Sequence, residues 1–470
     1  MRNTILLLAM ALPALAADDG VLARIAAHAD HFGAVSRQIW ETPELGFHEK
    51  KSSRLLSDEL SKAGFTVQEG VAGMPTAFVA TWGSGKPVIA VLGEFDALPG
   101  LSQKDVPDKQ PIIDGAPGHG CGHNLLGSAA ALAVVAVKEE MQTRGLKGTI
   151  RYYGTPAEEG GGGKVYMLHA GLLRDVDVVL AWHPGDANSA NLRSCMAVIG
   201  AKFRFYGTAS HAAGSPEKGR SALDGAMVML NAVEMLREHV PERTRIHYVI
   251  SNGGAAMNVV PAFAEVSLGA RHPDAATLAG VWERILKCAQ GGAIATETRV
   301  ETVLIMNYAN ILPNDALTAV VSRNLRKAGG YEYTAEERKF ADDLQKTLPG
   351  SAGRPGPEAV STDAPEGADA YSTDVGDISW NLPTVQFTTA TYPAGTPAHS
   401  WQATACAGSS VGRKGMLVAA RTLALSAMEL LERPNEVDAA KTSFGKRRAG
   451  RDWTTLIAPG AKPPLDYITK

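Results

Sequence analysis

Five side chains able to hold a metal ion stand in short stretches marked by glycine and proline: Cys121 and His123 in 118–124, Glu159 in 155–160, His183 in Trp182-His183-Pro184, and His399 in 395–400. Any one of them alone would be ordinary, since a single histidine is usually a surface or core residue. A thiolate, three imidazoles and a carboxylate are together the donor types that bind zinc-like divalent ions. One catalytic zinc commonly takes three protein ligands plus water, so five donors suit two divalent ions better than one, with one side chain able to bridge. Such ions bring the pKa of water down toward neutrality and make it a nucleophile. Glu158 stands directly beside Glu159. In an extended segment neighbouring side chains face opposite ways, so one carboxylate of the pair can face an ion while the other takes the proton from water.

The elements that position these residues follow from hydrophobic patterning. Residues 88–92, 149–153, 176–181 and 384–387 are short β-branched or apolar runs that read as strands. Helical segments separate them, among them 125–141, and 22–40 and 52–63 come before the first. The alternation predicts an α/β fold with a mostly parallel sheet and helices on both faces. Ligands bind beyond the carboxyl ends of strands in such sheets. The four strands run, in order, into Glu94-Phe95-Asp96, Glu158-Glu159, His183, and the loop carrying His399. The loop holding Cys121 and His123 directly precedes helix 125–141, and its glycines let backbone and side chains crowd around an ion. All five candidate ligands therefore fall at one end of one sheet.

From 197 to 310 the order becomes β-α-β-β-α-β, the ferredoxin-like arrangement. This predicts a catalytic domain in two parts, 18–196 and 312–435, interrupted by an inserted α+β domain at 197–311 and followed by an extension at 436–470. The Pro- and Gly-rich stretch 353–369 reads as a long loop.

With 470 residues, 20% charged and 45% hydrophobic, and a formal net charge of -3, the chain has the make-up of a soluble globular protein and gives no global reason to expect nucleic acid. Arg2, the apolar run 5–15 and Ala14-Leu15-Ala16 form the pattern of a cleaved signal peptide over 1–17, which predicts a periplasmic or secreted protein free of the membrane after cleavage. The four cysteines are scattered and form no disulfide framework; Cys195, Cys288 and Cys406 read as small buried apolar residues.

Pro43-Glu44-Leu45-Gly46, Glu94-Phe95-Asp96-Ala97-Leu98-Pro99, 118–123, 156–160, Trp182-His183-Pro184, Ser210-His211-Ala212 and Pro397-Ala398-His399-Ser400 occur in this order. In these motifs the chain resembles the M20 metallopeptidase and amidohydrolase superfamily, in its aminoacylase and aminobenzoyl-glutamate hydrolase branch. With 93–99, 372–377 and 397–402 it looks most like the large-subunit subgroup of that branch. The resemblance implies hydrolysis of an amide bond in an N-acyl amino acid of the aminobenzoyl-glutamate kind. It implies Cys121, His123, Glu159, His183 and His399 as ligands of two divalent ions, Zn or Mn before Co or Ni, and Glu158 as general base. It also implies a homodimer formed through the inserted domain, or a hetero-oligomer with a related subunit. His211 would then reach the partner's site and donate a hydrogen bond to the developing oxyanion. Asn258 and Arg271 resemble substrate-binding positions of the inserted domain. Two departures stand out: Asn124 where many relatives have aspartate after the ligand histidine, and Trp40 where many have histidine. An exported dipeptidase or carboxypeptidase shares the same chemistry, and a catalytically inactive metal-binding scaffold would be expected to lack Glu158.

Overall fold

The computed structural model describes residues 12–350, 354–453, 455, 457 and 460–468. The expected signal peptide falls on 1–11, outside the described residues, and on 12–17, where helical backbone alone is described.

Two main sheets organise the chain. Strands β1 (Thr66–Glu69), β2 (Phe78–Ser84), β3 (Val88–Gly93), β4 (Gly148–Gly154), β5 (Val178–Gly185), the two-residue β6 (Asn188–Ser189) and β7 (Arg193–Ser194), β8 (Ala197–Tyr206), β9 (Arg245–Asn252), β10 (Phe263–His272), β11 (Arg299–Tyr308), the two-residue β12 (Val360–Ser361) and β13 (Gly367–Ala368), and β14 (Thr384–Ala390) follow in chain order. The larger sheet runs β1-β2-β4-β3-β5-β14-β6-β12, and the smaller β11-β8-β10-β9. In the larger, β4, β3, β5 and β14 are mutually parallel, while β1 and β2 pair antiparallel at one edge.

The parallel strands read as continuous apolar runs because both sheet faces are covered. Alternate residues of β3 show this directly. Ile89 and Val91 enter one core with α1 (Leu12–Glu41), α2 (Lys50–Lys62) and α3 (His123–Arg144), whereas Val88, Ala90 and Leu92 enter another with α4 (Gly163–His169). Helix α3 is apolar on every side rather than along one stripe, because α1 and the long helix over Ser410–Glu432 flank it while it lies on the sheet.

The smaller sheet is wholly antiparallel and has its own core of Phe203, Phe205, Val266, Leu268, Trp282 and Ile285. Two helices, α5 (Ala222–Leu236) and α6 (Ala275–Ala295), close that core, each started by a side-chain cap from Ser221 or Asp274. The α/β class with a ferredoxin-like unit is thus the fold observed. Helices α7 (Asp315–Ala328), α8 (Ala335–Gln345), α9 (Val375–Asn381), α10 (Trp401–Ala407), α11 (Ser410–Glu432) and α12 (Pro434–Arg448) complete the chain.

Some expectations shift. Helix α1 runs from Leu12 rather than 22, and β5 continues to Gly185, which puts His183 on the strand itself instead of after it. The loop expected over 353–369 has Gly353 outside the described residues and elsewhere holds β12 and β13. Among the described residues no helix is long and apolar enough to cross a membrane.

Candidate metal centre

At the carboxyl end of the parallel strands, donor atoms converge in three groups, each within 4.8 Å: Cys121 with His123 and His183, Cys121 with Glu159 and His399, and Glu94 with His123 and Glu158. All five expected ligands are therefore brought together, and the first two groups share the Cys121 thiol.

Local backbone delivers them. Gly122 has φ +72, and a Cβ there would lie 2.7 Å from the Tyr392 hydroxyl, so glycine is needed to turn the chain between Cys121 and His123 at the start of α3. Glu158 and Glu159 do not lie in an extended segment, as the sequence suggested. They sit in a turn after β4, entered through Ala157 at φ +58, and this turn, not strand alternation, separates the two carboxylates. Ala157 is pinned by three bonds: its N–H donates to Glu49 Oε1 at 2.8 Å, and its carbonyl accepts from Gly161 and Gly162 at 2.9 and 2.8 Å. His399 also adopts a left-handed backbone, φ +59, and donates its N–H to the Gly120 carbonyl at 2.9 Å, which ties the His399 loop to the Cys121 loop. Non-glycine residues held in this region cluster at functional sites.

Hydrogen bonds behind the donors fix their orientation. His123 Nδ1 lies 2.9 Å from Asp96 Oδ1, and Asp96 Oδ2 accepts from the Glu159 N–H at 3.0 Å, so one carboxylate aligns two ligand segments. His183 donates from Nδ1 to the Pro184 carbonyl at 2.7 Å, which turns Nε2 to within 3.4 Å of Cys121 Sγ. Asn124 hydrogen-bonds none of these donors among the described residues; it donates to Ser36 and to the Ala407 carbonyl, joining α3 to α1 and α10. The carboxylate behind His123 is Asp96 instead. Trp40 likewise serves packing, with its indole N–H donating to the Thr404 carbonyl at 2.9 Å.

Burial would push the Cys121 thiol up, but His183 and His123 outweigh it and hold the thiol well below its usual range. His399 is raised to about 11 by hydrogen bonds to Cys121 and Glu159. Burial, then the charges of Glu94, Glu159 and Asp374, push Glu158 well above the usual carboxylate range. The donor set fits divalent metal on a separate observation. Among the described residues His123 Nε2, Glu94 Oε2 and Glu159 Oε1 are buried with no hydrogen-bond partner, and Glu94 Oε2 stands 3.2 Å from His123 Nε2 without bonding it. Buried polar atoms are nearly always satisfied, and a shared cation would satisfy these.

The site opens on a cavity of about 470 Å³ lined by Cys121, Glu158, Glu159, His183, His399 and Arg271 among others. Arg271 donates to Ser372 Oγ at 3.0 Å, and burial lowers its pKa. His211 and Asn258 do not line this cavity. Both stand exposed on neighbouring loops of the smaller sheet. There the Asn258 carbonyl accepts from the Ala212 N–H, and His211 Nδ1 accepts from the Ala213 and Gly214 N–H groups.

The sequence alone did not single out Lys164. It is fully buried, with Nζ 2.7 Å from Glu94 and 2.6 Å from Asp374, and so balances the charge of carboxylates beside the donors. A lysine after four glycines carries no sequence signal of burial.

A hydrolase that works on amide bonds with metal ions is the class that this sheet end and donor set define. The chain belongs to peptidase family M20/M25/M40, whose model matches residues 90–399. It is 41% identical over 434 residues to one of the two p-aminobenzoyl-glutamate hydrolase chains of Escherichia coli that it matches, covering 86% of this chain and 90% of that protein. It is 30% identical to the Xaa-Arg dipeptidase of Homo sapiens over 88% of this chain and 89% of that protein. An aminobenzoyl-glutamate utilization protein from Klebsiella pneumoniae has the same fold, with TM-score 0.61 and 20% identity over 87% of this chain and 97% of that one. So does a dinuclear metal-binding peptidase of the M20 family from Bacillus subtilis, with TM-score 0.57 and 18% identity over 87% and 99% of the two chains.

Proposed function

We propose that this enzyme hydrolyses the amide bond of an N-acyl amino acid whose amino-acid part carries a carboxylate, as in aminobenzoyl-glutamate, with two divalent ions. The observation that carries the reading is the pair of donor groups sharing Cys121, with Glu158 opening on the same cavity. Cys121, His123 and His183 would hold one ion and Cys121, Glu159 and His399 the other. Thiolate and imidazole donors favour Zn, and the carboxylate admits Mn, Co or Ni. Bound there, the ions would supply Lewis acidity toward water and the amide carbonyl.

The protein's own groups do the rest. Glu158 accepts the proton of the attacking water and returns it to the leaving nitrogen. Arg271, held by Ser372 with no carboxylate partner among the described residues, offers a two-pronged donor to the substrate carboxylate. The p-aminobenzoyl-glutamate hydrolase activity of the 41% identical relative supports this substrate class over the dipeptidase reading. The inserted unit 197–311, between catalytic parts 18–196 and 312–435, is proposed as the dimerising surface: its edge strand β9 leaves Val249 and Ile250 exposed, and Met257 and Val259 are exposed beside His211. His211 and Asn258 then serve the partner's cavity, His211 as donor to the oxyanion. A related chain is the other candidate partner, since the second p-aminobenzoyl-glutamate hydrolase chain of Escherichia coli is 32% identical over 274 residues. Residues 1–17 are proposed as a cleaved export signal, which the N-terminal sequence of the exported protein checks.

The test is metal removal. Chelation and dialysis are expected to abolish hydrolysis of p-aminobenzoyl-glutamate, and added Zn or Mn to restore it. Full activity in metal-free protein would overturn the reading, and restored cleavage of dipeptides alone would transfer it to a dipeptidase.

A further inference from the structure

After α12 the chain does not leave the molecule. Trp453 donates its indole N–H to Asp377 Oδ1 at 2.7 Å, Thr455 accepts from Asn307, and Ile457 joins the core on the α4 face of the sheet. The tail then brings Tyr467 behind the turn that carries Glu158 and Glu159. The ring packs edge-on against Phe47, with centroids 5.8 Å apart, and occupies space that two glycines leave open. A Cβ on Gly46 would lie 2.4 Å from the Tyr467 hydroxyl, and one on Gly160 would lie 2.8 Å from the Tyr467 ring. Gly46 ends the Pro43-Glu44-Leu45-Gly46 motif and Gly160 follows the two glutamates, so both keep glycine where the same ring passes. The hydroxyl is buried and has no hydrogen-bond partner among the described residues, which leaves packing as the visible work of this side chain.

We propose that Tyr467 is a positioning residue: its ring, delivered by the C-terminal tail, wedges the 43–46 turn against the 157–161 turn and fixes where Glu158 and Glu159 point. The proposal rests on the roles given above to those two glutamates. Ala157 is the hinge. Its left-handed backbone is held by Glu49 on one side, and the ring backs the same turn at Gly160. Without the ring, the 157–161 turn can relax away from the cavity while the sheet and both cores stay intact. A misplacement of about 1 Å at such a position costs turnover rather than binding.

The test compares Tyr467→Ala, Tyr467→Phe and a chain ending before Pro463, each metal-loaded. Two quantities are read: hydrogen exchange of the 157–162 amides and steady-state hydrolysis of p-aminobenzoyl-glutamate. Tyr467→Ala and the shortened chain are expected to exchange these amides at least about tenfold faster with the rest of the chain unchanged, because Ala157, Gly161 and Gly162 donate the bonds that close the turn. Their kcat is expected to fall on the order of tenfold or more, with KM within about threefold. Tyr467→Phe keeps the ring and is expected to match the parent in both. Unchanged exchange at 157–162, faster exchange spread over the whole chain, unchanged kcat, or no rescue by phenylalanine would each overturn the proposal. The exchange readout stands even if the parent protein cleaves no amide, a result that would remove the substrate reading and leave the wedge in place.

Discussion

Glu158 and Glu159 are neighbours in the chain and stand at one cavity, yet their surroundings differ. Glu159 has one oxygen 3.2 Å from His399 Nε2 and its N–H bonded to Asp96, whereas Glu158 feels the charges of Glu94 and Asp374 where it lines the cavity. We therefore expect Glu159→Gln to lose bound metal first. Glu158→Gln should keep most of its metal and lose turnover by a factor on the order of 10² or more. Metal analysis beside kcat checks this, and equal metal loss in the two variants would overturn the separation of roles. At this scale the donors were legible, because cysteine, histidine and glutamate next to glycine and proline carry chemistry in their side-chain types. Lys164, Asp374 and Glu49 were not, because their roles come from burial against residues far away in the chain, as in the Lys164–Asp374 and Glu49–Ala157 contacts.

Among the elements, helix α2 and the turn that feeds it do two jobs. Glu44 accepts from the Lys51 and Ser52 N–H groups at the start of the helix, and Glu49, just before α2, reaches under the turn of Glu158 and Glu159 to Ala157. Burial, and then the nearby charge of Asp96, push the Glu49 carboxyl up to about 8. An unfolded glutamate titrates near about 4.3, so the folded state holds this proton more tightly. The resulting stability is full below about pH 4 and is lost as pH rises through about 8. Glu49→Gln retains an acceptor for Ala157 and cannot ionise. The melting temperature of the variant minus that of the parent is therefore expected to rise between about pH 5 and 9, on the order of 2 °C or more. A difference that stays flat or falls with pH would mean that Glu49 is charged in the folded protein. The parallel strands and the β-α-β-β-α-β order were visible beforehand, since their periodicity is local. The two-residue β6 and β12 were not, because strands that short have no periodicity to detect.

At the level of the whole molecule, the donor cluster brings all five proposed ligands together, while the donor expected for the oxyanion is not at the cavity, because His211 stands on the other sheet, away from the cavity lining. If a second copy supplies it, His211→Ala and Glu158→Gln are each nearly inactive alone, and subunit exchange between them regains activity. A mixed dimer has at most one site with both residues, so recovery is expected well below the parent level. No recovery after verified exchange would place His211 within its own chain or give it a structural role.

The spacing of the centre along the chain also has a consequence in time. Cys121 leaves the ribosome 278 residues ahead of His399, and Tyr467 comes after both (399 − 121 = 278). All three residues of the Cys121, His123 and His183 group have been made once residue 183 is added, whereas the group of Cys121, Glu159 and His399 waits for residue 399. The two halves of the centre are thus of different age at birth. Until residue 399 is added, Cys121 can have beside it the donors of the first group but not all those of the second, and only then can the two groups share its thiol.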